Sequence, residues 1–103
     1  MLADPGGRIT FCNDYVLELT GWRREELTGR KWLELIPEED WESSEQAFAE
    51  LVAGVRPNRR LVRRLRARDG SHRLLEWDTT ALRDADGTIN GVASLGTDIT
   101  ERT

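Results

Sequence analysis

Three stretches of alternating residues, joined by two tight turns, constrain the fold of this chain most strongly. Residues of equal parity share one face of a β-strand. In the first two stretches one such face reads Leu61, Arg63, Leu65 and Ala67, then Leu75, Trp77, Thr79 and Ala81. Asp69-Gly70 and residues 84–87 supply the turns, and residues 89–99 form the third strand. The C-terminal half is therefore predicted to be an antiparallel meander.

The N-terminal part predicts a hairpin followed by a short helix. The turn sequence Asp4-Pro5-Gly6-Gly7 separates strands at residues 1–4 and 8–12, of which the first is short or truncated. Asn13 is a residue typical of a helix N-cap, and Gly21 is typical of a helix end.

Further helical segments precede the meander. Residues 23–27 predict a short helix, and residues 32–36 form an apolar segment. The longest helix begins at Asp40 or at Ser43, and in the second case residues 43–46 form a capping box. Helices inserted into an antiparallel sheet must cover one of its faces, which predicts a two-layer α+β domain.

Composition excludes several classes of function. The formal net charge is −4, whereas binding to nucleic acid requires a positive surface, so no nucleic-acid partner is expected. No segment approaches the roughly 18 apolar residues of a membrane span, and we expect a cytoplasmic domain without membrane contact. A single cysteine, Cys12, excludes an internal disulfide and a Cys-based zinc site. No spacing of nucleophile and base, and no cluster of metal ligands, indicates an enzyme.

Motifs spread over almost the whole chain resemble the PAS domain family, and the last three strands resemble its PAC motif. The matching segments are Gly7 to Asn13, Leu19-Thr20-Gly21-Trp22, residues 25–30, residues 36–40, residues 64–70, Trp77, Asp86-Gly87 and Asp98-Ile99-Thr100. Each motif is weak by itself, but their order and spacing are specific. Arg23 departs from the family, which usually has a capping Ser at that position.

The resemblance implies a five-stranded antiparallel sheet with helices between strands 2 and 3 packed on one face. It implies one domain over residues 1–100, with residues 101–103 beginning a linker to an effector domain that is absent from this chain. It also implies a non-catalytic sensory module of a bacterial-type signalling protein, whose effector is a histidine kinase, a diguanylate cyclase or a phosphatase. Two alternatives stay open: a ligand-free dimerisation module and a flavin-binding redox sensor.

The resemblance leaves the cofactor unknown. Haem is not expected, because the only histidine, His72, follows a turn and the longest helix contains none. Covalent flavin photochemistry is not expected either, because Trp32 in Gly29-Arg30-Lys31-Trp32 stands where light-sensing relatives have a reactive cysteine. Non-covalent flavin binding remains open.

The candidate ligand-binding residues are Trp32, Phe48, Leu51, Arg63 and Trp77. Arg63 shares its strand face with apolar residues, and a buried guanidinium must be paired. It therefore pairs with an internal acid such as Asp78, reaches water at a sheet edge, or anchors a ligand carboxylate or phosphate.

Two further expectations concern signalling and assembly. The candidate coupling residues are Asp98, Ile99 and Thr100, and the side chains of Asp98 and Thr100 are expected to tie the end of the last strand to the domain body. The resemblance implies an N-terminal helix that covers the outer sheet face, and residues 1–12 do not include one. We therefore expect a homodimer formed through that face.

Overall fold

All five strands lie in one antiparallel sheet, in the order β2-β1-β5-β4-β3. The strands are β1 (Leu2–Ala3), β2 (Ile9–Phe11), β3 (Asn58–Arg66), β4 (His72–Arg83) and β5 (Ile89–Asp98). The computed structural model describes residues 1–56 and 58–100, so the expected linker at residues 101–103 lies outside the described residues. No helix in the described part of the chain is long and apolar enough to cross a membrane.

β3, β4 and β5 form the predicted meander. β3 pairs with β4 through all nine of its residues, and β5 pairs with the other side of β4 as far as Asp98. The glycines of the two connecting turns have positive φ angles, 91° at Gly70 and 84° at Gly87, which glycine adopts without strain. The last strand ends at Asp98, one residue before its predicted end.

The predicted N-terminal hairpin is also present, and its first strand is short. β1 pairs with β2 on one side and with β5 on the other, where Leu2 lies opposite Ala93 and Ala3 opposite Val92. This second pairing joins the hairpin to the meander. β2 and β3 are consequently the two edge strands of the sheet.

The helical segments lie between β2 and β3, which confirms the predicted α+β arrangement. They are α1 (Asp14–Thr20), α2 (Arg24–Leu27), two 3₁₀ turns (Trp32–Leu35 and Glu38–Asp40) and α3 (Trp41–Val52). Asn13 caps α1 as predicted, because its side chain accepts a hydrogen bond from the Val16 backbone N–H at 3.2 Å. At the start of α2 the Glu26 carboxylate accepts from the Arg23 backbone N–H at 2.9 Å. That bond is the half of a capping box that the third helical residue supplies, so it forms without a Ser side chain at position 23.

α3 begins at Trp41, so the predicted alternative of a start at Ser43 with a capping box over residues 43–46 is wrong. The backbone at Asp40 is already helical, with φ −99° and ψ 0°, whereas a capping residue is normally extended. The preceding 3₁₀ turn therefore continues directly into α3. The Trp41 indole N–H fixes this entry by donating to the Ile36 carbonyl at 3.0 Å.

The helices and the inner face of the sheet enclose the hydrophobic core. Its buried residues are Ile9, Cys12, Val16, Leu27, Leu35, Leu65, Leu75 and Trp77. The inward direction of Leu65, Leu75 and Trp77 is the one that strand parity predicted. Burial raises the pKa of the Cys12 thiol, so the group stays protonated and unreactive.

Gly96 on β5 leaves the space that the Trp77 ring occupies. A Cβ atom at this position would lie 2.8 Å from Trp77 Cζ3 and 2.9 Å from Leu75 Cδ2. We expect Gly96→Ala to lower the free energy of unfolding by about 1–3 kcal/mol through overpacking, measured by urea denaturation. The control is Thr97→Ala on the exposed face of the same strand. Equal stability of the Gly96→Ala variant and the wild type would contradict this packing.

Candidate functional site

A cavity of about 70 Å³ lies between α3 and the inner face of the sheet. The structure places all five candidate ligand-binding residues in its wall: Trp32, Phe48, Leu51, Arg63 and Trp77. The remaining wall residues are Met1, Ala3, Ile36, Ser44, Ala47, Leu61, Leu65, Thr79, Val92 and Ser94. The wall is therefore largely apolar, as small-molecule sites usually are. The role of these residues in binding stays a prediction.

A second, more open groove of about 480 Å³ lies outside this cavity, between α3 and the turn of the N-terminal hairpin. The cavity and the groove share Trp32 and Phe48, whose ring centroids lie 5.5 Å apart. These two rings form the wall between the two spaces. Gly7 allows Trp32 to lie close to the hairpin turn, since a Cβ at Gly7 would be 3.3 Å from Trp32 Nε1.

Arg63 reaches the cavity from the edge strand β3 and lies against the first turn of α3. Its Nε donates to the Ser44 hydroxyl at 3.0 Å, and its Nη2 donates to the Ser43 hydroxyl at 3.4 Å. The expected alternative of an Arg63–Asp78 pair is wrong. Asp78 lies opposite Arg60 in the sheet and accepts a hydrogen bond from its Nε at 2.9 Å.

Ser44 is a cavity residue that sequence reasoning missed. The side chain is buried, with 1% of its surface exposed, and its hydroxyl accepts from Arg63. The signal was present in the sequence, because Ser44 precedes Phe48 by four residues and Leu51 by seven, which places all three on one face of a helix.

The end of β5 is tied to β4 by the three candidate coupling residues. The Thr100 hydroxyl and its backbone N–H both donate to Asp98 Oδ1, at 2.5 and 2.9 Å. The Leu74 backbone N–H in turn donates to the Thr100 hydroxyl at 2.9 Å, and the Ile99 N–H donates to the Leu74 carbonyl at 2.9 Å. The Thr100 hydroxyl thus links the two strands, because it accepts from Leu74 on β4 and donates to the Asp98 carboxylate at the end of β5.

α1 also contacts this strand end, which the sequence did not indicate. The Tyr15 hydroxyl accepts a hydrogen bond from the Asp98 backbone N–H at 3.1 Å. The Arg73 guanidinium approaches the Asp98 carboxylate to 3.7 Å from β4. The two hydrogen bonds from Thr100, aided by Arg73, lower the pKa of Asp98 below its ordinary value.

The cavity does not fit a flavin or a haem as it stands. A space of about 70 Å³ corresponds to about five to seven water-sized groups and is several times too small for a tricyclic flavin ring. His72 is exposed at the start of β4, away from the cavity wall, so it is not placed to bind a haem iron. Cys12 lies outside the cavity wall as well. The described residues contain no group of three or more His, Cys, Asp or Glu side chains placed to bind a metal.

A five-stranded antiparallel sheet, with helices and a small apolar cavity on one face, defines a class of sensor-type domain. The family model for the PAS fold matches residues 1–103, and the chain belongs to this family. No curated protein matches the chain.

Solved structures show the same fold at low sequence identity. A PAS domain from Colwellia psychrerythraea superposes with a TM-score of 0.84 at 21% identity, covering 98% of this chain and 85% of that one. The PAS-B domain of Drosophila melanogaster Cycle with bound ethylene glycol gives 0.83 at 17% identity, covering 94% and 95%. The N-terminal domain of a diguanylate cyclase with a PAS/PAC sensor from Marinobacter aquaeolei gives 0.81 at 17% identity, covering 98% and 94%.

The lowered pKa of Asp98 predicts a specific dependence of stability on pH. Because the folded pKa lies below the unfolded value of about 3.9, the stabilisation is fully present above that value and is lost as the pH falls through the folded pKa. As the pH falls below about 4, the free energy of unfolding of the wild type should therefore fall more steeply than that of Asp98→Asn. The pKa of Asp69 is also lowered, but this residue is present in both proteins, so its contribution to the pH dependence cancels in the comparison. Parallel curves from denaturant unfolding would contradict the prediction.

Proposed function

We propose that this PAS domain is a sensory module that binds a small ligand in the cavity and relays the event through the end of β5. One observation supports this most directly: Trp77 of the cavity wall lies opposite Gly96, and Leu75, two residues along β4, lies opposite Asp98. The bonds around Asp98 therefore lie only two residues along β4 from the cavity wall. A shift of β4 beneath the ligand would change them directly.

The relay requires two conformations that bind the ligand with different affinity, because equal affinity would leave their populations unchanged. The bond from Thr100 to Asp98 and the bond from Leu74 to Thr100 together supply an element that can be made or broken. In the proposal, ligand binding changes how often this tie is closed. The direction of the chain after Ile99 changes with it.

The domain is proposed to regulate rather than to catalyse. The receiver of its signal would be a covalently linked effector such as a histidine kinase, a diguanylate cyclase or a phosphatase. The similarity in fold to a diguanylate cyclase sensor domain supports this kind of architecture. Effectors of these classes act in the cytoplasm, which is the location we propose for the domain.

We also propose that the outer face of the sheet is the surface for a homodimer. Large apolar side chains are exposed on it: Phe11 at 46%, Val62 at 46% and Leu95 at 65%. Arg60 and Asp78 form an ion pair on the same face. Across a two-fold axis, Arg60 of each copy could pair with Asp78 of the other copy. A second copy fits this combination of apolar and self-complementary charged groups.

Hydrogen exchange tests the relay. Two probes of suitable size, neutral 1-butanol and anionic butyrate, are titrated into the protein, and the amide exchange rates of Leu74, Ile99 and Thr100 are measured by NMR. A bound probe should change these rates by at least about threefold and leave the Asp84 amide of the distant turn unchanged, and Asp98→Ala should abolish the response. Probe binding without any change at Ile99 and Thr100 would refute the relay.

Sedimentation equilibrium tests the dimer. Leu95→Asp places a charge at the centre of the proposed interface and should weaken self-association at least about tenfold. The matched control is Val55→Asp, because Val55 is similarly exposed, at 69%, but lies outside the sheet. A monomeric wild type at about 0.1 mM, or an equal effect of both substitutions, would contradict the proposed interface.

A further inference from the structure

Arg63 is the arginine in the cavity wall, and it is not neutralised by a carboxylate. Its neighbours on β3 differ, since Arg59 pairs with Glu50, Arg60 with Asp78 and Arg64 with Glu39 and Asp40. Among residues 1–56 and 58–100, no carboxylate oxygen lies within the 4.0 Å of an ion pair from Arg63. No acid of the described chain therefore forms an ion pair with Arg63.

The hydrogen bonds of Arg63 orient its side chain without using all its donors. Nε, Nη1 and Nη2 donate to Ser44, to the Val62 carbonyl and to Ser43. A guanidinium has five N–H groups, so each Nη, whose present bond lies on the exposed side, retains one hydrogen for water or for another acceptor. All three present acceptors are neutral, and a carboxylate would form a stronger, charge-assisted bond.

Ser44 supplies a second donor to the same space. Its hydroxyl oxygen accepts from Arg63 Nε, which leaves the hydroxyl proton directed elsewhere. Ser44 is buried, with 1% of its surface exposed, and lies in the cavity wall beside the apolar residues Ala47 and Phe48. In the described part of the structure, no hydrogen bond donated by this hydroxyl occurs. An acceptor entering the cavity would complete its hydrogen bonding.

The size and polarity of the cavity restrict what accompanies the acceptor. About 70 Å³ admits about five to seven non-hydrogen atoms, and Leu51, Leu61 and Leu65 favour hydrocarbon. One guanidinium balances one negative charge. A monoanion with a short aliphatic chain therefore fits better than a phosphate, which carries more charge than Arg63 can neutralise.

We propose that the cavity binds a short-chain aliphatic carboxylate. Its carboxylate group accepts from the Ser44 hydroxyl and from the free Nη hydrogens of Arg63, and its hydrocarbon part lies against Leu51 and Trp77. The ligand joins α3, which carries Ser44, to β3, which carries Arg63. This inference rests on the proposed sensory function and specifies its ligand class.

Calorimetry with matched probes tests the ligand class. Butyrate and butyramide have the same size and shape but differ in charge. Wild-type protein should bind butyrate at least about tenfold more tightly than butyramide, which is the difference expected when a charge-assisted bond replaces a neutral one. Arg63→Met, which keeps much of the side-chain volume, should remove this preference, and Ser44→Ala should reduce butyrate affinity by about threefold to tenfold.

The control variant is Arg66→Met. Arg66 lies on the same strand and also lacks a carboxylate partner among the described residues, but it lies outside the cavity wall and donates to the Glu34 carbonyl. It should keep the affinity and the preference of the wild type. Circular dichroism of all three variants separates loss of binding from loss of folding.

The outcomes distinguish this inference from the sensory function itself. Equal binding of butyrate and butyramide, unchanged preference in Arg63→Met, or no binding of either probe would overturn the carboxylate class. If butyramide alone binds and changes exchange at Ile99, the relay stands and the carboxylate class fails. If butyrate binds with the expected preference but leaves Ile99 unchanged, the ligand class stands and the relay fails.

Discussion

The pairing of β4 with strands on both sides is the constraint on which the rest of the structure depends. β4 carries Leu75 and Trp77 on the inner face, where they are buried at 0% and 8% exposure. The same strand holds the end of β5 through Leu74, one residue before Leu75. The hydrophobic core, the cavity wall and the bonds at the end of β5 therefore all depend on β4. A change that moves β4 cannot remain confined to any one of them.

Alternation in the sequence was sufficient to predict the sheet and the direction of its side chains, but it did not predict their partners. Parity correctly placed Arg63 on the cavity side. Register explains why Asp78 is not its partner, since Arg63 lies opposite Leu75 whereas Asp78 lies opposite Arg60 on the other face. The spacing of residues 44, 48 and 51 indicates which face of α3 points to the sheet, but the sequence contains no measure of where α3 lies along β3. That position brings Ser44 to Arg63, so the actual partner could not be foreseen.

The ends of elements were harder to predict than the elements themselves. Ser43 satisfies the pattern of a cap, but the 3₁₀ turn before Trp41 already has helical backbone angles, and the cap is not needed. The contact of Tyr15 with Asp98 joins residues 83 positions apart. No local pattern indicates such a contact, because it depends on how α1 packs against the completed sheet. The bonds among Asp98, Thr100 and Leu74 are local in the fold, and the sequence did indicate their location.

The energies on the two sides of the proposed relay are of similar size. A ligand of about six non-hydrogen atoms can gain at most about 9 kcal/mol, at a ceiling of about 1.5 kcal/mol per atom, and much of this is spent on immobilisation. The tie at Asp98 and Thr100 consists of a few hydrogen bonds, each contributing about 0.5–1.5 kcal/mol net. A coupling free energy of about 1–3 kcal/mol is enough to change the population of the closed tie by 5- to 150-fold. A tie much stronger than this would not respond to so small a ligand, whereas a much weaker one would not be closed without it.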